Sequence, residues 1–299
     1  MDSVVHQDPA ILSPPGDTLQ EHIDFLGMSQ AELAERMGRP KEKINDIVKG
    51  REPISIATAV QLERVLGIPA VFWINRERAY RQALYEWDLQ EEYRRHEAWL
   101  RLFPIQKMQE WGWIPKASTV EARVEGLLNF FGIASPAAWK RLYLGAEGAL
   151  GGRISLSSTS NPESLSVWLR QGERQTHEQP IAPFNKKGFR RLVSTFQKRS
   201  DATPCDVAQL QSVCAQLGVA LVFTPNLPEA PITAATRWFL NRPLIQLAEP
   251  LQHSTSFGLI FVLQSAHLLL HGKKEFFFEG LDEILPQQSL DRTRATGRK

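Results

Sequence analysis

Between residues 18 and 85 the apolar positions recur at the three- and four-residue intervals of helices, and the residues between them supply start and stop signals. Leu19, Ile23 and Leu26 form the first stripe, and Leu33, Ala34 and Met37 the second. Ile44, Ile47 and Val48 form the third, and Ala59, Leu62, Val65 and Leu66 the fourth. Ser29 and Glu32 have the spacing of a capping box, with Met28 and Leu33 placed as its hydrophobic staple. Gly38 breaks the second stripe, and Pro40 stands at a first-turn position where its missing N–H costs nothing. Ile54 and Ser55 open the next helix, Gly67 closes it, and Pro69 starts another. The pattern predicts five helices by about residue 85, with two short ones around Gly38 making a helix-turn-helix.

Farther on, Phe72 to Arg101 keeps a helical pattern with exposed pairs Glu77–Arg81, Glu91–Arg95 and Glu97–Arg101. Residues 105 to 200 read as helices separated by Pro115, the Gly145 to Gly152 cluster and Pro162. A faint echo links Leu62–Trp73 with Leu127–Trp139, in which a helix, Gly-Ile and a proline before Trp recur. After residue 205 a helix over Asp206–Leu217 precedes three strand-like runs: Val219 to Thr224, Thr236 to Leu240 and Leu244 to Leu247, the last two around an Asn-Arg-Pro turn. An apolar helix over His253–His271 follows, and Phe276 to Phe278 reads as a buried strand or loop anchor. The expected organisation is an arm at 1–16, a helix-turn-helix domain at 17–85, a connecting helix at 86–104, a second domain at 105–290 and a basic tail at 291–299. The fold class is mainly α, a five-helix domain followed by an α+β domain with a small sheet.

With 299 residues, 42% hydrophobic and 23% charged, the chain can bury the cores of two domains. A net charge of +2 creates no global field, so any affinity for a polyanion must be local. Such a concentration lies between Arg39 and Arg51, where Arg39, Lys41, Lys43, Lys49 and Arg51 are opposed by Glu42 and Asp46. Cys205 and Cys214, nine apart in what reads as one helix, are spaced too widely for a disulfide, which suits a reducing compartment. Met1 to Ala10 carries no basic residue and no apolar core of a secretory signal. The apolar run Leu259–Leu270 is too short to span a bilayer and is interrupted by Gln264, Ser265 and His267. A cytoplasmic protein without membrane contact or cofactor is expected.

The third stripe points its helix into a small core and leaves Lys41, Glu42, Lys43, Asn45, Asp46 and Lys49 on or beside its outer face. On double-stranded DNA, Gln30 would anchor a phosphate. Arg39, Lys41, Lys43 and Asn45 would approach the major-groove edges, and Lys49 and Arg51 would hold the backbone. A dimer on a palindromic operator is expected, with half-sites about 34 Å apart. The stretch Pro15 to Leu84, with SQAELAERMG, INDIVKG, the Leu-Glu-Arg-Val-Leu-Gly-Ile-Pro turn and Phe72-Trp73, resembles the XRE-type helix-turn-helix of HigA-type antitoxins. That resemblance implies a repressor of its own operon that neutralises a toxin encoded beside it.

Ala235-Thr-Arg-Trp, Leu244-Ile-Gln-Leu and the segment Phe257 to Gly280 resemble the ImmA/IrrE type of zincin-like metallopeptidase domain. Such enzymes use H-E-x-x-H on a helix, two histidines binding zinc and the glutamate acting as base. Here the matching residues are Leu263, Gln264 and His267. Leu263 has no lone pair for a metal, and Gln264 cannot act as a base at neutral pH. Asp282 and Glu283 are the nearest later carboxylates, and neither sits in a ligand motif. A pseudo-peptidase with no bound metal is expected. His267 and His271, four apart, offer two nitrogens at most, short of a tetrahedral set. Two alternatives stay open: a stand-alone regulator whose second domain senses a ligand or partner, and an active metallopeptidase.

Overall fold

The computed structural model describes residues 13–145, 161–198, 206–227, 230, 232–273 and 277–280. They fall into two compact units, Met1–Arg95 and His96–Lys299.

The first unit is a bundle of five helices: α1 (Pro15–Phe25), α2 (Gln30–Met37), α3 (Lys41–Val48), α4 (Ile56–Leu66) and α5 (Ala70–Arg95). Leu19, Ile23, Leu33, Ile44, Ile47, Ala59, Leu62 and Trp73 close one apolar core, the residues the periodicity selects together with the first-turn tryptophan of α5. Four differences from the sequence reading have local causes. The expected arm ends early, because Pro15 opens α1 and Gly16 is buried against the last carbonyls of α3, where a Cβ would come within 2.1 Å of the Val48 oxygen. Pro40 is the residue before α3 rather than its first turn, in extended backbone at φ −62°. The expected connector is divided between the units: residues to Arg95 continue α5, while α6 (Glu97–Leu100) buries Trp99 and Leu100 in the second unit. Glu91 pairs with Arg94 instead of Arg95, whereas Glu97 does pair with Arg101.

The second unit continues with α7 (Ile105–Glu110), α8 (Val120–Phe131), α9 (Pro136–Trp139) running into one π-helical turn (Lys140–Leu144), α10 (Pro162–His177), α11 (Lys186–Gln197) and α12 (Val207–Gln216). Trp99, Phe103, Phe131, Trp139 and Tyr143 meet edge to face as an aromatic core. The sequence echo is a shared stop-and-start device. Gly67 and Gly132 end their helices in the left-handed region, and the tryptophans that follow, Trp73 and Trp139, are fully buried.

Four strands follow: β1 (Ala220–Thr224), β2 (Ile232–Phe239), β3 (Arg242–Ala248) and, after α13 (Phe257–Leu270), β4 (Phe277–Gly280). Their order is β1-β3-β2-β4, with β1 parallel to β3 and the other neighbours antiparallel. The hairpin turn is Leu240-Asn241, both at positive φ, rather than Asn-Arg-Pro. Arg242 and Pro243 already pair with β2, and Pro243 is tolerated because the parallel ladder with β1 begins only at Leu244. Leu221, Phe223, Ala234, Ile245 and Leu247 face Phe257, Ile260, Phe261 and Leu268 of α13, together with Phe189 and Val193 of α11 and Leu210 and Cys214 of α12. The other sheet face carries Ala220, Val222 and Leu244 and receives α10. The expected helix start at His253 is replaced by a 3₁₀ turn (Glu249–His253), and α13 begins at Phe257. Cys205, the 291–299 tail, Asp282 and Glu283 lie outside the described residues, and no described helix is long and apolar enough to cross a membrane.

Candidate nucleic-acid interface

Two short helices meet at a tight corner in the first unit, and each joint has a visible cause. Ser29 Oγ accepts the Glu32 N–H at 3.1 Å, and Met28 and Leu33 are buried in the same core as the staple requires. The reciprocal half of the capping box is replaced: Glu32 directs its carboxylate to Arg36, one turn on. Gly38 takes φ +64°, and the Arg39 N–H reaches back to the Ala34 carbonyl at 2.9 Å while Gly38 N–H reaches Glu35. A side chain at this φ is strained, which explains why glycine ends α2. Ile44 and Ile47 then hold α3 down, so Lys41, Glu42, Lys43 and Lys49 are exposed and Asn45 and Asp46 half-buried at its rim.

The cations expected to meet DNA are held in different ways. Lys43 Nζ pairs with Glu52 at 2.6 Å, and Arg51 with Asp46 at 2.6 Å. Arg39 Nε donates to Gln61 Oε1 on α4 at 2.6 Å, so this half-buried guanidinium ties the corner to the next helix. Gln30 Nε2 donates to Gln20 on α1 at 2.6 Å. The structure therefore brings Lys41, Lys43, Asn45, Lys49 and Arg51 together on α3 and its exit, with Gln30 at the start of α2 and Arg39 at the corner. Exposed ion pairs of this kind contribute about 0–1 kcal/mol, so phosphate can displace Glu52 and Asp46 at small cost.

The i,i+4 spacing of Glu77 and Arg81 predicts an exposed pair, but Glu77 is buried. Its carboxylate accepts the Ile54 N–H at 3.0 Å and Arg81 Nε at 2.7 Å, while Arg81 Nη2 donates to the Gly50 carbonyl at 3.0 Å. The pair on α5 thus clamps the segment carrying Arg51 and Glu52. Only the fold could disclose it, because an i,i+4 Glu–Arg pair looks the same in a solvated helix.

In the second unit, Leu263 is 41% exposed, whereas Gln264 is fully buried and accepts the Thr236 hydroxyl at 2.6 Å. Gln264 Nε2 and Ser265 Oγ are buried without a hydrogen-bond partner among the described residues. His267 stacks on Phe277 at 4.0 Å between ring centres, with His271 at 5.5 Å. This set does not fit zinc, since Leu263 offers no donor and Gln264 is turned to the sheet; among the described residues no three His, Cys, Asp or Glu converge. Burial, and then the neighbouring His271, hold His267 below its ordinary value of 6.5. The folded state therefore takes up fewer protons than the unfolded one, and stability is expected to fall as pH drops below about 6.5. Thermal unfolding at neutral and acidic pH checks this: His267→Gln should lose less midpoint on acidification than the parent.

A serine-capped helix, a left-handed glycine corner and a second helix packed on α1 and α2 define the helix-turn-helix class of domain. Comparison with known proteins agrees: residues 26–73 match the helix-turn-helix family HTH_3. The chain is similar to virulence-associated protein I of Dichelobacter nodosus, 34% identical over 77 residues that make up 25% of this chain and 71% of that one. Among solved structures it is similar to an addiction module antidote protein of the HigA family from Coxiella burnetii, at 28% identity over 27% of this chain and 89% of that one, TM-score 0.26. Another is Pseudomonas aeruginosa antitoxin HigA with the higBA promoter, at 29% identity over 26% and 87%, TM-score 0.26. Through its amino-terminal unit this chain belongs to the XRE-type helix-turn-helix family, a family of DNA-binding regulators.

Proposed function

We propose that this chain is the antitoxin and autorepressor of a toxin–antitoxin operon, binding a palindromic operator as a homodimer through α3 and neutralising a small toxin. The observation that carries the DNA-binding part is the capped α2–Gly38–α3 corner with Lys41, Lys43, Lys49 and Arg51 at its rim. The antitoxin part rests on the resemblance of Pro15–Leu84 to HigA-type sequences. The second unit acts as a binding scaffold derived from an ImmA/IrrE-type domain and has no peptidase activity. What supports this is the buried, neutral amide of Gln264 on Thr236, a place where an ionised carboxylate would be strongly disfavoured.

The test is a mobility-shift titration of the full chain on DNA from its own promoter, with co-purification of the product of the neighbouring reading frame. Lys43→Ala is expected to weaken operator binding about tenfold, the loss of one base or phosphate contact. Glu52→Gln is expected to tighten it, because Lys43 loses its competing carboxylate. Unchanged affinity at moderate salt removes Lys43 from the contacts, and absence of any shift on the promoter overturns the repressor reading.

A further inference from the structure

We propose that the outer face of α11 is a second polyanion-binding surface, made for the sugar-phosphate backbone of a DNA duplex. Lys187, Arg191, Ser194 and Lys198 recur at intervals of four, three and four residues, which places them on one stripe of the helix and its last turn. The stripe lies opposite Phe189 and Val193, which are packed into the core, with Lys186 and Arg190 along one side. All five cations are exposed, and none makes an ion pair among the described residues. Between Glu178 and Asp201 the sequence contains no acidic residue at all. This face is therefore more uniformly positive than α3, whose cations are interleaved with Glu42, Asp46 and Glu52.

The arrangement works against the helix itself. Lys186 and Lys187 occupy the first turn, which has no acidic residue, so they face the positive end of the helix dipole. Lys186–Arg190 and Lys187–Arg191 are like-charge pairs one turn apart, each of which weakens an isolated helix. A bound polyanion relieves both penalties. The residues also select the kind of partner. The apolar side of α11 is already used inside the unit, with Phe189 fully buried, so the helix has nothing to insert into a membrane. No large apolar side chain is exposed along it, so the aromatic and aliphatic anchors of a protein interface are missing. From Lys187 to Lys198 the stripe spans about 16 Å at 1.5 Å per residue, and a duplex carries one charge per roughly 1.7 Å of axis, so phosphates outnumber cations along its length.

The inference rests on the reading that the chain engages DNA, and its test separates the two. The full chain is titrated by fluorescence anisotropy onto operator and scrambled duplexes from about 50 to 200 mM salt. Lys187→Gln/Arg191→Gln/Lys198→Gln is expected to bind the scrambled duplex at least tenfold more weakly and to reduce the slope of log affinity against log salt by about two to three. Lys41→Ala/Lys43→Ala is expected to lose operator preference while keeping scrambled-duplex affinity to within a few-fold. Far-UV circular dichroism and the unfolding midpoint serve as the folding control, and the triple variant should not melt lower, since it removes repulsion. A folded triple variant with unchanged affinity and slope overturns the proposal. So does a loss confined to phosphatidylserine vesicles with duplex binding unmoved. If Lys41→Ala/Lys43→Ala changes nothing while the triple variant fails, the α11 surface stands and the assignment of the operator contact to α3 falls.

Discussion

Arg237→Ala is expected to destabilise the second unit by about 3–5 kcal/mol, the cost of breaking a buried charge pair by deleting one partner. Arg237 lies on β2 and is only 4% exposed; Nη1 donates to Gln246 Oε1 at 3.0 Å, Nη2 to the Leu169 carbonyl at 2.7 Å, and Nε stands 3.5 Å from Glu173. Gln246 in turn donates to the Trp168 carbonyl at 2.6 Å and Thr224 Oγ1 at 2.9 Å, so the guanidinium anchors a network joining α10 to the sheet. Burial pulls Arg237 below its ordinary value and Glu173 pulls it back; a guanidinium so paired stays charged. Burial, helped by the Glu173 charge, likewise raises Tyr143 far above the usual phenol range, which keeps it neutral beside this cluster. Without the guanidinium, Glu173 keeps Arg170 as its one ion-pair partner among the described residues, and the Leu169 carbonyl, which also sits in the ladder of α10, loses its side-chain donor. Urea unfolding measures the effect, with Arg237→Leu/Glu173→Leu expected to cost less than either single change. An alanine variant within about 1 kcal/mol of the parent would show that the charge is dispensable.

Glu77→Ala is expected to lower the stability of the first unit by about 2 kcal/mol, since it leaves the buried Ile54 N–H without an acceptor and takes the carboxylate from Arg81, which keeps the Gly50 carbonyl. The figure is kept modest because the Arg81 side chain is 39% exposed and its charge is partly screened. The clamp also positions the exit of α3, so operator affinity should fall together with the melting temperature. Arg81→Ala should show a smaller loss of both. A Glu77→Ala chain that melts like the parent would show that the loop is held by other contacts.

The legible parts of the first unit were those whose signals act over a few residues. Ser29 and Ser55 cap helices at the expected places, Gly38 and Gly67 stop them, and the stripes of Leu, Ile and Met fill the core. The strands after residue 218 were visible as β-branched and apolar runs, but the hairpin turn was misplaced, because two residues of the Asn-Arg-Pro signal, Arg242 and Pro243, are drawn by pairing into β3. The extent of α5 was illegible because nothing in residues 86–95 marks a stop; the break at His96 comes from Trp99 and Leu100 turning into another core. Ala235-Thr-Arg-Trp and Leu244-Ile-Gln-Leu, which carried the peptidase resemblance, turn out to hold the buried Arg237–Gln246 contact across neighbouring strands. The acid-free basic stripe of α11 stood in the sequence, but its meaning depended on knowing which side of the helix was buried.

By itself the sequence determined where the short helices of the first unit start and stop and which residues line its core, because caps, glycine corners and apolar periodicity are satisfied by neighbours in the chain. Only the tertiary structure decided which charges are buried, shared or open to a partner. Desolvation and ion pairing depend on groups brought together from distant segments, as Glu77 meets Ile54 and Arg237 meets Leu169.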